Sequence, residues 1–137
     1  MKFIPYLMFE GNAEEAVNFY AKVFQGTIVG MMRYSENPEM TVENNYKDKV
    51  LHSEIQVNGE SIYMSDCFPG ETVSKGDQAS IFLEFDSLEE IERVYVELSE
   101  GVDVFMEIHD SFWGSRFASF VDKFGIAWSL SYAYPEA

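Results

Sequence analysis

Cysteine is almost absent from this sequence, and this scarcity, together with other absences, limits the cellular compartments in which the protein is expected. The 137 residues include one cysteine, Cys67, so no disulfide can form within the chain. A reducing, cytoplasmic location is therefore expected. No apolar run reaches the roughly 20 residues that a membrane-spanning helix needs. The opening residues, MKFIPYLMFEGNAEE, lack the apolar core and cleavage pattern of a signal peptide.

Positive charge is also scarce. The chain has 9 Lys and Arg residues against 24 Asp and Glu residues, which gives a net charge of −15. Such a surface repels phosphate groups, so neither nucleic acid nor an anionic membrane is an expected partner. Because 47% of the residues are apolar and 16% are aromatic, the chain can form one folded domain with a proper core.

The chain contains an internal repeat. When the sequence is shifted by 75 residues, YLMFEGNAEEAVNFYAKVFQGTIV (Tyr6–Val29) aligns without a gap on IFLEFDSLEEIERVYVELSEGVDV (Ile81–Val104). The identical pairs are Glu14/Glu89, Glu15/Glu90, Tyr20/Tyr95, Gly26/Gly101 and Val29/Val104. Both copies therefore predict the same opening, a short strand followed by a helix.

Capping signals mark the two predicted helices. Asn12 and Ser87 are each followed three residues later by a glutamate, which is the spacing of a capping box at a helix start. An apolar stripe at helical spacing follows each cap. We expect the helices to end at Gly26 and Gly101, each in the left-handed conformation that closes a helix.

Three strands are predicted after each helix, so the unit is βαβββ, used twice. The strands are about Thr27–Tyr34, Val50–Val57 and Glu60–Ser65 in the first copy, and about Val102–His109, Arg116–Val121 and Ile126–Tyr132 in the second. Asn58-Gly59 is a strong hairpin signal, and Asp122–Gly125 is expected to turn the last hairpin. The fold class is α+β, one domain at 1–137 made of modules 1–68 and 78–137 and a linker at 69–77.

Paired βαβββ units resemble the vicinal oxygen chelate superfamily, which includes glyoxalase I, extradiol dioxygenases and fosfomycin resistance proteins. Three motifs are similar to its PhnB-like, glyoxalase-related branch, often labelled 3-demethylubiquinone methyltransferase-like. They are PYLMFEGNAEEAVNFY (Pro5–Tyr20), HSEI with MSD (His52–Ile55 and Met64–Asp66), and WGSRFASFVDKFGIAW (Trp113–Trp128). The resemblance implies the glyoxalase/bleomycin-resistance/dioxygenase-like fold, in which curled mixed sheets surround a cavity, and it implies a homodimer.

The methyltransferase label itself finds no support in the residues. A methyltransferase of the usual kind needs a glycine-rich turn between a strand and a helix to hold its nucleotide-like cofactor. Gly26 and Gly101 are single glycines at predicted helix ends, with no glycine beside them.

Strand alternation assigns the side chains that would line the cavity. The Asn58-Gly59 turn sets the register of the first hairpin, with Val57 opposite Glu60. In the last hairpin, pairing Val121 with Ile126 turns alternate residues of the preceding strand inward. The predicted ligand-binding residues are His52, Glu54, Tyr63, Ser65, Phe82, Glu84, Trp113, Arg116, Phe120 and Ser129.

The metal positions of the superfamily, carried over by the resemblance, fall on poor metal ligands. The first-strand position falls on Pro5, and the 75-residue shift places its partner on Ser80. Alignment of the hairpins and strands places the other two on Ser65 and Ser129. Divalent metals are held by carboxylate or imidazole groups, and none of the four residues has one. We therefore expect no metal at the usual position and no other cofactor.

Two classes of function stay open. In the first, the chain binds a small, partly apolar molecule of unknown identity, and the serines at the metal positions favour this. In the second, it is a lyase, isomerase or transferase, either metal-independent or with a shifted divalent metal site around His52. His52 is the best candidate base because imidazole changes its charge near neutral pH, followed by Glu84 and Glu54. Arg116 would either clamp an anionic group of the ligand or pair structurally with Glu84.

Overall fold

Each half of the chain folds as the predicted βαβββ unit in this computed structural model, which describes residues 1–136. The first unit contains β1 (Tyr6–Phe9), α1 (Ala13–Val23), β2 (Thr27–Arg33), β3 (Val50–Val57) and β4 (Glu60–Asp66). The second contains β5 (Ile81–Glu84), α2 (Leu88–Leu98), β6 (Met106–Asp110), β7 (Ser115–Val121) and β8 (Ala127–Ala133). The division between the units falls between Ser74 and Lys75, inside the segment predicted as a linker.

Each unit has one mixed four-stranded sheet. The strand orders are β1-β4-β3-β2 and β5-β8-β7-β6. β1 runs parallel to β4 and β5 runs parallel to β8, and the other neighbouring pairs are antiparallel. The α+β class and the doubled βαβββ plan are thus confirmed. Between β2 and β3, the connecting segment carries two short 3-10 helices, Tyr34–Glu36 and Asn44–Tyr46. Within the described chain, no helix has the length and hydropathy to cross a membrane.

The start of α1 is anchored by a distant carboxylate. Asn12 is the N-cap residue as predicted, but its side chain makes no capping hydrogen bond, so the predicted capping box is wrong. Oδ1 of Asp66, at the end of β4, accepts instead from the amides of Gly11 at 2.7 Å and Ala13 at 2.9 Å. Oδ2 accepts from the amide of Val50 at 2.9 Å. Asp66 is 1% exposed, so a buried residue of β4 supplies the acceptor that the local sequence was expected to provide.

Of the other predicted helix ends, two are confirmed and one is wrong. The cap at Ser87 is confirmed, since its hydroxyl oxygen accepts from the amide three residues later at 3.0 Å. Gly101 has the expected positive φ of 78°, but after α1 the left-handed residue is Gln25, at φ 53°, and not Gly26. Gly26 is needed for a different reason. A Cβ there would lie 2.8 Å from the carbonyl oxygen of Gln56, closer than atoms pack.

One face of the first sheet is covered by α1. Buried residues on that side include Leu7, Phe9, Ile55 and Met64. The alternate residues point to the opposite side, and we call this surface the first face. Its residues are Tyr6, Met8, His52, Glu54, Tyr63 and Ser65. The predicted hairpin register is confirmed, with Val57 opposite Glu60 and Glu54 opposite Tyr63.

The predicted register of the last hairpin is wrong by one residue. Val121 pairs with Ala127 and not with Ile126, because the carboxylate of Asp122 accepts from the amides of Phe124 and Ile126 and holds them in the loop. A shift of one residue turns every side chain of β7 to the other side of the sheet.

The correction moves Phe120 out of the predicted pocket. Phe120 pairs with Trp128, is 3% exposed and meets Tyr95 of α2 edge-on at 5.9 Å. The surface of the second sheet that α2 does not cover, which we call the second face, comprises Phe82, Glu84, His109, Phe117, Ser119, Ser129 and Ser131.

The 75-residue repeat does not hold for the orientation of side chains in the first strand of each unit. A shift of 75 residues relates the bounds of both helices and of β1 and β5. It pairs Tyr6, on the first face, with Ile81, on the side of β5 that faces α2, so the ungapped alignment is wrong for these strands. The connections to the helices differ, because Gly11 has φ 95°, a conformation that its counterpart Asp86 does not adopt.

Candidate functional site

A chain of hydrogen bonds crosses the first face. The hydroxyl of Tyr6 lies 3.2 Å from Nδ1 of His52 and 3.1 Å from Oγ of Ser65. The hydroxyl of Ser65 in turn donates to Sδ of Met8 at 3.3 Å. Ser65 is 3% exposed, whereas Tyr6 is 47% exposed. The chain therefore runs from the open surface to a buried hydroxyl.

Aromatic rings surround the same imidazole. The ring of Tyr63 meets His52 edge-on at 4.8 Å between centroids, and Tyr6 lies 5.7 Å from His52 and 6.1 Å from Tyr63. Sequence reasoning placed His52 and Tyr63 here but missed Tyr6, because it assigned the first-strand position to Pro5. The alternation of YLMF, with Leu7 and Phe9 inside, is the signal that identifies Tyr6.

Glu54 gives the first face a negative charge. Ser61 donates to its Oε2 at 2.6 Å, and the amide of Gln56 donates to the same oxygen at 3.2 Å. The hydrogen bonds from Ser61 and then Gln56 lower the pKa of the Glu54 carboxyl, with smaller help from the charges of His52 and Lys2. Glu54 is accordingly ionised at neutral pH and offers only acceptor oxygens.

The second face carries an aromatic cluster centred on Phe117. Its ring lies 5.4 Å from Trp113, 6.3 Å from Phe82 and 6.4 Å from His109. Trp113 and Phe82 are 53% and 54% exposed. Phe117 was missed by sequence reasoning because the register error turned it toward the core. The cluster gives the second face an apolar, aromatic surface, with Phe117 in the place given to Phe120.

Arg116 lies on the opposite side of β7 from this cluster. Its Nε donates to Glu92 of α2 at 2.7 Å, and its Nη1 lies 3.3 Å from Asp110. The hydrogen bond to Glu92 raises the pKa of the guanidinium, with a further contribution from Asp110. Arg116 is thus part of an ion-pair network with Glu92 and Asp110. Of the two alternatives left open from the sequence, the structural pairing with Glu84 is wrong.

A half-open cleft of about 370 Å³ adjoins Glu84 within the second unit. Cavities of 300–1,000 Å³ are typical of small-molecule sites. The cleft is lined by Glu84, Phe85, Asp86, Ser131, Tyr132, Ala133 and Pro135. Two carboxylates and one tyrosine make it acidic and partly aromatic.

The four carried-over metal positions do not fit a divalent metal. Pro5 and Ser80 precede β1 and β5. The hydroxyl of Ser65 already bonds within the chain across the first face, and that of Ser129 lies 3.4 Å from the hydroxyl of Ser119. Across residues 1–136 no three His, Cys, Asp or Glu side chains are grouped so that they could hold a metal ion. Phenol, hydroxyl and thioether donors around one imidazole are a poor set for zinc, nickel, manganese or iron.

The structure therefore sorts the predicted site residues into three groups. His52, Glu54, Tyr63 and Ser65 share the first face. Phe82, Glu84 and Ser129 share the second face, with Trp113 against its aromatic cluster. Arg116 and Phe120 lie on the side of the second sheet that packs against α2.

Comparison with known proteins identifies relatives over nearly the whole chain. A family model described as 3-demethylubiquinone-9 3-methyltransferase matches residues 1–131. Protein YjdN of Escherichia coli K12 is 26% identical, and the match covers 96% of this chain and 95% of YjdN.

Solved structures agree with this assignment. PA1353 from Pseudomonas aeruginosa is 33% identical with a TM-score of 0.87, covering 97% of this chain and 98% of that one. A PhnB protein from Bacillus cereus, titled as a putative 3-demethylubiquinone-9 3-methyltransferase, is 30% identical with a TM-score of 0.81, covering 97% and 100%. A glyoxylase/bleomycin resistance protein/dioxygenase domain from Frankia, at 10% identity and a TM-score of 0.69 over 100% and 93%, shares the fold. The chain belongs to the PhnB-like, 3-demethylubiquinone-9 3-methyltransferase family and has the glyoxalase/bleomycin resistance/dioxygenase fold.

Proposed function

We propose that this chain binds a small, partly apolar molecule on the uncovered faces of its sheets, without a metal at the position usual for the superfamily. The observation that carries the proposal is the engagement of Ser65. Its hydroxyl is 3% exposed, accepts from Tyr6 and donates to Met8. A divalent metal at this position would need carboxylate or imidazole ligands, and the groups that bond to Ser65 are a phenol and a thioether.

The family description names a methyltransferase, but the turn that would hold a nucleotide-like cofactor is otherwise occupied. The connection from β1 to α1 has one glycine, Gly11. Its amide and that of Ala13 both donate to Asp66. Anions bind a helix start through free amides and a positive dipole, and here a buried carboxylate already occupies them. We therefore place ligand binding on the sheet faces.

The chemistry of the two faces supports a ligand with an apolar ring. Phe82, Trp113 and Phe117 present tilted and edge-on rings, which give large contact area with little conformational entropy to lose. We further propose that the chain is cytoplasmic, since its single cysteine fits a reducing compartment, and that it forms a homodimer, since exposed large apolar side chains outside the aromatic cluster, such as Phe105 and Phe112, are of the kind that mark association sites.

Elemental analysis tests the metal-free part of the proposal. Protein purified without a chelator and without a polyhistidine tag should contain far less than one equivalent of zinc, nickel, manganese or iron per chain. Native mass spectrometry of the same sample would report any small molecule that remains bound and the number of chains per particle. One equivalent of tightly bound divalent metal, lost together with ligand binding on chelation, would overturn the proposal.

Tryptophan fluorescence tests the location of binding on the second face. Trp113 is 53% exposed and Trp128 is 0% exposed, so a planar aromatic probe such as quinoline should quench Trp113 selectively and saturably. Trp113→Phe should remove the saturable component and leave the emission of Trp128. Saturable quenching that persists unchanged in Trp113→Phe would contradict binding at this cluster.

A further inference from the structure

The hydrogen-bond chain on the first face determines which nitrogen of His52 carries the proton. A thioether sulfur can only accept a hydrogen bond, so the contact between Met8 and Ser65 requires the single hydroxyl hydrogen of Ser65 to point at the sulfur. Ser65 must then accept from Tyr6, whose single hydrogen is used in that bond. The oxygen of Tyr6 is left to accept, so Nδ1 of His52 must be the donor in the remaining contact.

The reverse order is less favourable. If Tyr6 donated to Nδ1 of His52, Ser65 would donate to Tyr6, and the sulfur of Met8 would lose its donor. That arrangement makes two of the three contacts, whereas the order ending at Met8 makes all three. In the reverse order the oxygen of Ser65 accepts no hydrogen bond, and because Ser65 is 3% exposed, water cannot supply one at low cost.

We propose that Tyr6 is a positioning residue that holds neutral His52 in the Nδ1–H tautomer, so that Nε2 presents an unprotonated acceptor to a ligand bearing N–H or O–H donors. Among residues 1–136, His52 makes its hydrogen bond through Nδ1 alone. Glu54, two residues along β3 on the same face, adds acceptor oxygens and a negative charge.

This arrangement defines a chemical class of ligand. The acceptors at His52 and Glu54 lie beside the rings of Tyr6 and Tyr63, and the whole chain has a net charge of −15. A planar aromatic cation with N–H donors complements all three features, because its ring packs on aromatic side chains and its charge is attracted by the field of the protein. This inference rests on the proposed ligand-binding function for its choice of ligand, but the tautomer itself can be measured without any ligand.

Nuclear magnetic resonance of isotope-labelled histidine nitrogens measures the tautomer directly. The chain has 2 histidines, and His109 serves as an internal reference because its Nδ1 lies 2.8 Å from the carbonyl oxygen of Glu107 and must donate. At about pH 8, where histidine is ordinarily neutral, His52 should show the Nδ1–H tautomer. Tyr6→Phe should shift His52 toward Nε2–H and leave His109 unchanged.

Tyr63→Phe is the matched control, since Tyr63 contacts His52 through its ring and the substitution keeps that ring. It should leave the tautomer of His52 as it is. An Nε2–H tautomer in the unmodified protein, or an Nδ1–H tautomer that survives Tyr6→Phe, would overturn the inference.

Titration with benzamidine, a planar aromatic cation, and benzoate, its anionic counterpart, tests the ligand class. Benzamidine should shift the signals of His52 and its neighbours on the first face, and benzoate should shift them less at the same concentration. Tyr6→Phe should weaken benzamidine binding about two- to fivefold, less than the full value of one hydrogen bond, because part of the imidazole population keeps the right tautomer. Equal or tighter binding of benzoate would refute the proposed ligand class. If the tautomer is as expected and neither probe binds, the assignment of Tyr6 stands and the binding of this ligand class is refuted.

Discussion

Replacing Asp66 by asparagine tests whether one buried carboxylate holds the first unit together. Its two oxygens accept from three backbone amides, those of Gly11, Ala13 and Val50. Asparagine has a single acceptor oxygen. If that oxygen replaces Oδ1, the amide group of asparagine faces the amide of Val50, and two donors oppose each other in a site that is 1% exposed.

The magnitude follows from the bonds that change. Leaving one buried amide without an acceptor costs about 1–3 kcal/mol. The two remaining bonds lose their ionised acceptor, and the difference between charged and neutral hydrogen bonds is about 1 kcal/mol each. We therefore expect Asp66→Asn to lower the free energy of unfolding by about 3–5 kcal/mol, a large part of the 5–15 kcal/mol typical of a domain.

Urea unfolding followed by far-ultraviolet circular dichroism measures this loss. The matched control is Asp86→Asn, which removes the same charge from an exposed position after β5 and should change the free energy of unfolding by less than about 0.5 kcal/mol. A loss below about 1 kcal/mol for Asp66→Asn, with an unchanged dependence on urea, would refute the assignment of Asp66 as the anchor of α1.

Three further predictions test other parts of the structure. Gly26→Ala should destabilise the chain by about 1–3 kcal/mol because its Cβ would meet backbone, whereas Gly30→Ala, with no atom within 4 Å, should be nearly neutral in the same urea assay. Phe120→Ala should lower the free energy of unfolding by about 3–5 kcal/mol as a core truncation, and Phe117→Ala should lower it by less than about 1 kcal/mol. The opposite ranking would support the register predicted from sequence. Burial, with the charge of Asp66 adding, raises the pKa of Tyr34 from 10.0 to about 12. Because the phenol ionises at lower pH in the unfolded chain, its contribution to the free energy of unfolding is fully present below about pH 10 and is lost as the pH rises toward 12. Tyr34→Phe should therefore reduce the alkaline fall in the urea midpoint.

The fold was predictable because local signals and the repeat agreed. Asn58-Gly59 permits only a two-residue hairpin, so the register of β3 against β4 followed from sequence and is confirmed. The last hairpin lacked such a constraint. Its register depends on Asp122 holding the amides of Phe124 and Ile126, a side-chain choice that strand propensity does not reveal.

The placement of the candidate site residues was predictable only where the register was. His52, Glu54 and Tyr63 share a face as predicted. The error of one residue exchanged Phe117 for Phe120, since alternate residues of a strand face opposite sides. Tyr6 was missed for a different reason, because the carried-over alignment placed the first-strand position on Pro5, the residue before it. The ligand stays a prediction, because neither family nor fold specifies one.

The two helices of the repeat differ in when their first turns can be completed during synthesis. The cap of α2 is Ser87, three residues from the amide that it binds. The acceptor for the amide of Ala13 is Asp66, 53 residues further along the chain. On a ribosome, α1 is therefore made long before the strand that stabilises its start, and closing that long loop carries an entropic cost that α2 avoids. A chain that ends before β4 would lack the acceptor for the start of α1, whereas α2 is capped by Ser87, the residue directly before it.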